Sequence, residues 1–285
     1  MSAWEDWIGR KETRSDYVDE GAAARWLATF DRSAASDGTV PQGYHWCLCL
    51  PDAPTAALGI DGHPLREESA QSFLPPIPLP RRMWAASRVS FVQPLRSGQS
   101  IVRNSRVASI KAKQGGSGAL VFVEVDHATH ADGELAIRET QSIVFRDVAS
   151  KDAPPAPPPP GEGRFDPAAW HAHRRVVPTE ALLFRYSALT FNSHRIHYDR
   201  SYATEEEGYR GLVVHGPLAA TLLLGLAQAE FGDNALSHFD FRGTSPAIVG
   251  EDLHLVLRET SEGMELGAFA RDGRQIMAAS ARRTA

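Results

Sequence analysis

At 285 residues the chain exceeds a minimal domain, and its 42% hydrophobic content is enough for real cores. A net charge of -5 leaves no basic footprint, which argues against nucleic acid as a partner. The two cysteines, Cys47 and Cys49, form neither a disulfide framework nor a Cys-x-x-Cys metal pair. The N-terminus lacks a basic region leading into an apolar core, and no apolar run reaches spanning length. A cytoplasmic, reducing setting without membrane contact is therefore expected. Apart from Lys11, Lys111, Lys113 and Lys151 the basic residues are all arginines, a skew that codon bias explains at least as cheaply as anion binding.

Trp4–Asp31 carries apolar residues at helical spacing and predicts one or two amphipathic helices. Thr39–Pro80 is rich in Pro and Gly, with one apolar run, Tyr44–Leu50, in which the two cysteines share one face of a strand. Leu74–Pro80 is an extended loop, because its prolines forbid a helix. The texture then changes: Arg88–Val92, Ser100–Lys111, Leu120–His130 and Leu135–Arg146 predict a strand meander with Gly-bearing turns. Residues 151–163 hold six prolines and read as a stiff connector between units.

Pro178–Leu189 predicts a helix that Thr179 can cap. Leu218–Phe231 is apolar on nearly every side, as in a helix that other structure must wrap, and Pro217 suits its first turn. Strands return at Ser237–Arg242, Asp252–Arg258, Glu265–Arg271 and Gln275–Arg282. Each half thus runs helix first and meander last, and Pro94-x-x-x-Gly98 is matched by Pro246-x-x-x-Gly250. This is the signature of an internal duplication. The expected class is α+β, a double hotdog of two antiparallel sheets, each around a central helix, with the N-terminal copy degenerate. Residues 1–150 form the first unit, 151–163 the linker and 164–285 the second. The first unit has no equally clear buried helix, so chemistry is expected in the second and substrate shaping in the first.

Two polar words flank the entrance to the buried helix: Asn192-Ser-His-Arg-Ile-His197-Tyr-Asp199 and His215-Gly216-Pro217. The first, within Ala188–Ala203, resembles the hydratase motif of the MaoC-like (R)-hydratase family, Gly-Asp-x-Asn-Pro-x-His followed by a short spacer. Gly211-Leu-Val-Val-His215-Gly216 resembles that family's next helix start. The wording is most similar to a bidomain branch of mesaconyl-C4-CoA (3-methylfumaryl-CoA) hydratases, itaconyl-CoA hydratases and fungal mitochondrial hydroxyacyl-thioester dehydratases. Pro78-Leu-Pro-Arg-Arg-Met-Trp84 resembles the N-terminal half of that branch.

The resemblance implies a hydro-lyase that adds water to, or removes it from, the double bond of an enoyl thioester. A branched C5 dicarboxylic acyl-CoA is the first substrate choice; the alternative is a general (R)-3-hydroxyacyl-thioester dehydratase of fatty-acid metabolism. No cofactor is implied. The carrier is CoA, with acyl carrier protein as the other choice, and a homodimer is compatible with the duplication.

Asn192 stands where the family's catalytic aspartate belongs, and an amide cannot take a proton from water. His197 is left as the general base, with Asn192 orienting water and substrate. The Gly216 N–H would hold the thioester oxygen as enolate charge develops. Asp199 is a candidate to orient His197, and His215 to support the helix start. His194 and Arg195 form either a polar turn or a clasp for a substrate carboxylate. Arg81, Arg82 and Trp84 either contact the CoA phosphates and adenine or form a solvated loop with a packed Trp; Tyr44, His45 and Trp46 leave the same choice. Two competing classes remain. His194 and His197 with Asp199, His215 or His171-x-His173 offer metal-ligand chemistry without a complete signature, so no metal is expected. A non-catalytic thioester-binding hotdog is the other, and retention of His197 argues against it.

Overall fold

The computed structural model describes residues 4–67, 69–115, 118–148 and 154–284. In the first half, strand β1 (Lys11–Tyr17) and helix α1 (Glu20–Thr29) precede β2 (Arg81–Phe91), β3 (Ser100–Gly115), β4 (Gly118–Ala131) and β5 (Glu134–Arg146). In the second, β6 (Ala172–Val176), α2 (Glu180–Leu189) and α3 (Gly216–Phe231) precede β7 (Leu236–Gly243), β8 (Leu253–Thr260), β9 (Gly263–Ala270) and β10 (Gln275–Arg283). The strands form one sheet in the order β1-β3-β4-β5-β2-β7-β10-β9-β8-β6. Each half reads the same from its edge inward, as the duplication requires. The halves meet where Ala86–Ser90 of β2 pairs antiparallel with His238–Arg242 of β7.

Helix α3 is the element the sheet wraps. Its ten consecutive residues Leu218–Ala227 are all buried, and it packs on β6, β8 and β9 while touching β2. Each buried leucine contributes about 1.5–3 kcal/mol relative to exposure. Pro217 occupies the first turn, and the positive φ of Gly232 (94°) ends the helix. The first half has no such helix. In its place a single helical turn, Tyr44–Cys47, buries Tyr44, His45 and Trp46, with Trp26 of α1 set edge-on to Tyr44 at 6.3 Å.

Thr179 caps α2 as expected, its hydroxyl accepting the Leu182 N–H at 3.2 Å. Both meanders are also present, with β2 extending back to Arg81. Other expectations need correction. Lys11–Tyr17 is a strand rather than helix: Glu12 and Arg14 alternate with exposed neighbours along β3, and only Glu20–Thr29 coils, capped by Asp19. Cys47 and Cys49 do not share a strand face. Cys47 closes the helical turn, and Cys49 has a φ of 53° with its N–H bonded to the Asp16 carboxylate at 2.5 Å. Strand β6, too short and charged to announce itself, was not anticipated.

Of the proline-rich segment, residues 151–153 lie outside the described residues. From Pro154 onward the chain is seated on the second half, the Ala156 N–H donating to Gly208 O at 2.8 Å and Arg210 Nε to Pro157 O at 2.7 Å. Among the described residues, no helix is long and apolar enough to cross a membrane.

Candidate active site

Both halves line one cavity, to which the second contributes Asn192, His194, His197, His215 and Gly216. Helix α2 ends at Leu189, and Phe191 reverses the chain with a φ of 47°. The Asn192 N–H returns to Ser187 O at 2.9 Å, and its side-chain Oδ1 accepts the His194 N–H at 2.9 Å. That turn delivers Arg195–His197 as a short helical turn with His197 buried.

The His197 ring is fixed from two sides. Nδ1 lies 2.7 Å from Val213 O, a pure acceptor, so Nδ1 carries the proton and Nε2 keeps its lone pair. The His215 ring stacks on it, with centroids 3.5 Å apart and planes at 19°. Burial, and then the neighbouring His194, lower the His197 pKa to about 3, against the opposing effect of the Val213 bond. The free imidazole is therefore neutral near pH 7, as a base must be. His215 is held by Ser187 Oγ, 2.9 Å from its Nε2, and burial drives its pKa well below the ordinary value. His215 occupies the N-cap position, yet its side chain makes no capping bond; it supports the His197 ring instead.

Gly216 begins α3, and among the described residues its N–H has no acceptor, as expected at a helix N-terminus. A Cβ there would meet only Trp84 O, at 3.8 Å. A neutral imidazole with a free Nε2, a side-chain amide and a free helix-terminal N–H thus border one cavity. That set can accept a proton, orient a water and stabilise an oxyanion.

The first half supplies a loop that clamps the motif. Asp61 O accepts the Arg195 N–H at 2.9 Å, and Gly62 O accepts the Ser193 hydroxyl at 2.5 Å. Gly62 has a φ of 83°, and a Cβ on it would lie 2.0 Å from Ser193 O, so only glycine fits. His63 packs on His194 with centroids 4.1 Å apart and planes tilted by 35°, and His194 meets the His197 ring edge-on at 5.5 Å. Burial, then His63, lower the His194 pKa to about 3. Burial alone would raise Asp61, but hydrogen bonds from the His63 side chain and N–H outweigh it and hold the carboxyl at about 2.

Two expected site residues are committed elsewhere. Asp199 does not touch His197: its Oδ2 lies 2.7 Å from Arg195 Nη2 and its Oδ1 accepts the Tyr202 N–H at 3.1 Å. Arg195 is taken up by that pair, by Ile60 O and by the Tyr202 ring, so it makes no substrate clasp. Arg82 and Trp84 do border the cavity. The Trp84 indole N–H is used internally, on Ala86 O and Ser87 Oγ, and its ring packs with Trp46 and Phe241 as a wall.

The expected metal alternatives are not assembled. His197 Nδ1 is bonded to backbone, His171 is exposed and His173 pairs with His254. Among the described residues, the close donor trio is Asp61, His63 and His194, with their atoms within 4.8 Å, and there His63 already bonds Asp61.

Sequence reasoning missed Asp61, Gly62, His63 and Glu139. The first three sit in an unpatterned Pro/Gly-rich stretch whose partner is some 130 residues away, as in the Ser193–Gly62 bond. Glu139 lies inside a strand, where one acid among alternating residues reads as solvated. It is buried, with Ser87 Oγ at 2.5 Å, Trp46 Nε1 at 3.3 Å and His45 Nε2 at 3.7 Å. Burial raises its pKa, while that of His45 falls to about 3.

A sheet wrapped around a buried helix, with a histidine and a helix N-terminus facing one cavity, is the hotdog fold with a site suited to acid/base chemistry. Solved structures share the fold: a MaoC-like dehydratase of Phytophthora capsici (TM-score 0.69, 15% identity, 97% of this chain and 96% of that one) and a Mycobacterium tuberculosis protein described as a double hotdog (TM-score 0.59, 14% identity, 97% and 96%). The mesaconyl-C4-CoA hydratase of Chloroflexus aurantiacus is 41% identical over 97% of this chain and 96% of its own length. Residues 43–249 match the model of the hydroxyacyl-thioester dehydratase type 2 family, and the chain belongs to that family.

Proposed function

We propose that the protein hydrates a 2-enoyl-CoA carrying a second carboxylate, of the mesaconyl-C4-CoA type, with the second half doing the chemistry and the first shaping the substrate. The observation that carries the reaction is the His197 ring: neutral, its Nδ1 spent on Val213 O and its Nε2 left free. The thioester oxygen sits at the Gly216 N–H, which polarises the conjugated double bond. His197 Nε2 takes a proton from a water steered by Asn192, and the water oxygen bonds to the β-carbon. The π electrons move onto the thioester oxygen as an enolate held by Gly216. The enolate then collapses, and its α-carbon takes the proton back from the imidazolium. One water is added and the histidine returns to its starting state; dehydration is the reverse. The relative named for mesaconyl-C4-CoA, similar along nearly its whole length, supports CoA as carrier and the dicarboxylic acyl chain. A cytoplasmic setting suits two free cysteines.

The test is a hydration screen with mesaconyl-C4-CoA, itaconyl-CoA and crotonyl-CoA, following loss of enoyl-thioester absorbance. Mesaconyl-C4-CoA is expected to give the highest kcat/KM. Preference for crotonyl-CoA would move the protein to general (R)-3-hydroxyacyl-thioester dehydration.

A further inference from the structure

Arg82 stands on β2 two residues before Trp84, so both side chains leave the same strand face toward the cavity. Its guanidinium makes no hydrogen bond or ion pair among the described residues. Burial, and next the charge of Arg66, lower its pKa, as fits a half-buried cation with no bonded counter-ion among the described residues. Arg66, a like charge held on the carbonyls of Ile77, Leu79 and Pro80, adds to the repulsion. Asp61, the carboxylate whose charge reaches Arg82, is already held by His63. Arg195 and Arg81 neutralise Asp199 and Glu207, and Glu205 and Glu206 are exposed at the rim. Among the described residues, the Arg82 guanidinium thus brings a positive charge to the cavity wall with no carboxylate bonded to it.

Geometry brings that charge to the reacting centre: Trp84, two residues along β2 from Arg82, has its O 3.8 Å from where a Gly216 Cβ would stand, and Arg82 lines the same cavity as His194 and His197. The His194 ring is 5.5 Å from that of His197. A partly buried cation without a partner is unfavourable until an anion arrives, and a guanidinium fork fits a carboxylate or a phosphate. Position decides between the two. In a 2-enoyl thioester with a second carboxylate, that carboxylate sits at the far end of the double bond being hydrated, in reach of a group beside His197. The phosphates of CoA lie a full pantetheine arm away.

We propose that Arg82 is the specificity-determining residue of this cavity, binding the free carboxylate of the acyl chain. The assignment rests on the hydration reaction proposed above. It also gives the anion a direct part in turnover, because a negative charge fixed near His194 and His197 favours the imidazolium that forms as water is deprotonated.

The experiment measures kcat/KM of the native enzyme and of Arg82→Gln with mesaconyl-C4-CoA and with crotonyl-CoA, which share the carrier and differ in the carboxylate. Arg82→Gln is expected to lose about 100-fold or more on mesaconyl-C4-CoA, in line with losing a charge-assisted bidentate contact, and less than about threefold on crotonyl-CoA. Equal losses on both would assign Arg82 to the CoA phosphates and overturn the proposal. A measurement free of any variant runs beside it: the native enzyme is offered mesaconyl-C4-CoA with its carboxylate methyl-esterified. A fall of similar size supports the assignment; unchanged kcat/KM overturns it. If the native enzyme hydrates neither thioester, the reaction itself is wrong and the assignment falls with it. If it hydrates both and only the Arg82 contrasts fail, the reaction stands and this assignment alone is lost.

Discussion

The two halves share a strand order but dispose of their buried histidines in opposite ways. In the second half, His197 spends one nitrogen on backbone and keeps the other free, next to a helix whose first N–H has no acceptor. In the first, His45 occupies a helical turn, lies 3.7 Å from Glu139 and, among the described residues, has no hydrogen bond on either ring nitrogen. The cause is α3. A sixteen-residue helix, buried from Leu218 to Ala227, presents its N-terminus at the cavity, whereas the four-residue turn Tyr44–Cys47 presents none. The two halves are thus alike in frame. The second holds a buried imidazole with a free nitrogen, and the first holds a wall and a clamp.

The largest expected effect comes from breaking that contrast directly. His197→Ala should lower kcat by a factor of about 10² to 10⁴, the usual contribution of a positioned general base, with the fold intact by circular dichroism. His45→Ala should leave kcat of the folded fraction within a few-fold, and its cost should appear in thermal melting as a packing defect. Similar losses of kcat in both variants would mean that the first half takes part in the chemistry.

Much of this contrast was legible in the chain. An apolar segment without a polar face, opened by Gly-Pro, can only be a wrapped helix, and the spacing Asn192 to His197 carried the motif. What stayed hidden depends on contacts between distant segments. Nothing local shows that a Cβ on Gly62 would lie 2.0 Å from Ser193 O, or that Glu139 is buried. The same holds for Asp199, whose proximity to His197 in sequence suggested a partnership that Arg195 pre-empts. The helical reading of Trp4–Asp31 held for Glu20–Thr29 and failed over Lys11–Tyr17, because an edge strand's alternation, spread over seven residues, also fits part of a helical stripe.

The clamp between the halves gives the next effect. Gly62→Ala combines a left-handed backbone, costing about 1–2 kcal/mol for a side chain, with a clash against backbone that cannot swing aside. Displacing the loop would release Ser193 and Arg195 and shift His197, so a loss of roughly tenfold or more in kcat is expected even where the protein folds. Unchanged kcat would show that the first half does not position the motif.

Asn192→Asp sharpens the comparison more gently. An aspartate can still accept the His194 N–H, so the turn should survive. It would also place a negative charge beside the carboxylate assigned to Arg82, and kcat/KM should fall by about tenfold more for mesaconyl-C4-CoA than for crotonyl-CoA.

The smallest effect is a melting shift in the first half that depends on pH. Burial lowers both His45 and His197 to about 3, so their contribution is complete above the unfolded pKa near 6.5 and is lost as pH falls toward 3. Each then removes up to about 1.4 kcal/mol of stability per pH unit across that window. Glu139 has the opposite sign. Its folded pKa is raised, so its contribution is present below the unfolded value and is lost as pH rises through the folded one. Glutamine keeps an acceptor for Ser87 and Trp46 and a donor in place of the acid proton, without a charge to desolvate. Glu139→Gln should therefore raise the melting temperature at pH 8, on the order of 2 °C, and change it little at pH 5. A loss at pH 8 would mean that the carboxylate is charged and paired with His45, making the first half an ion-pair site rather than a neutral wall.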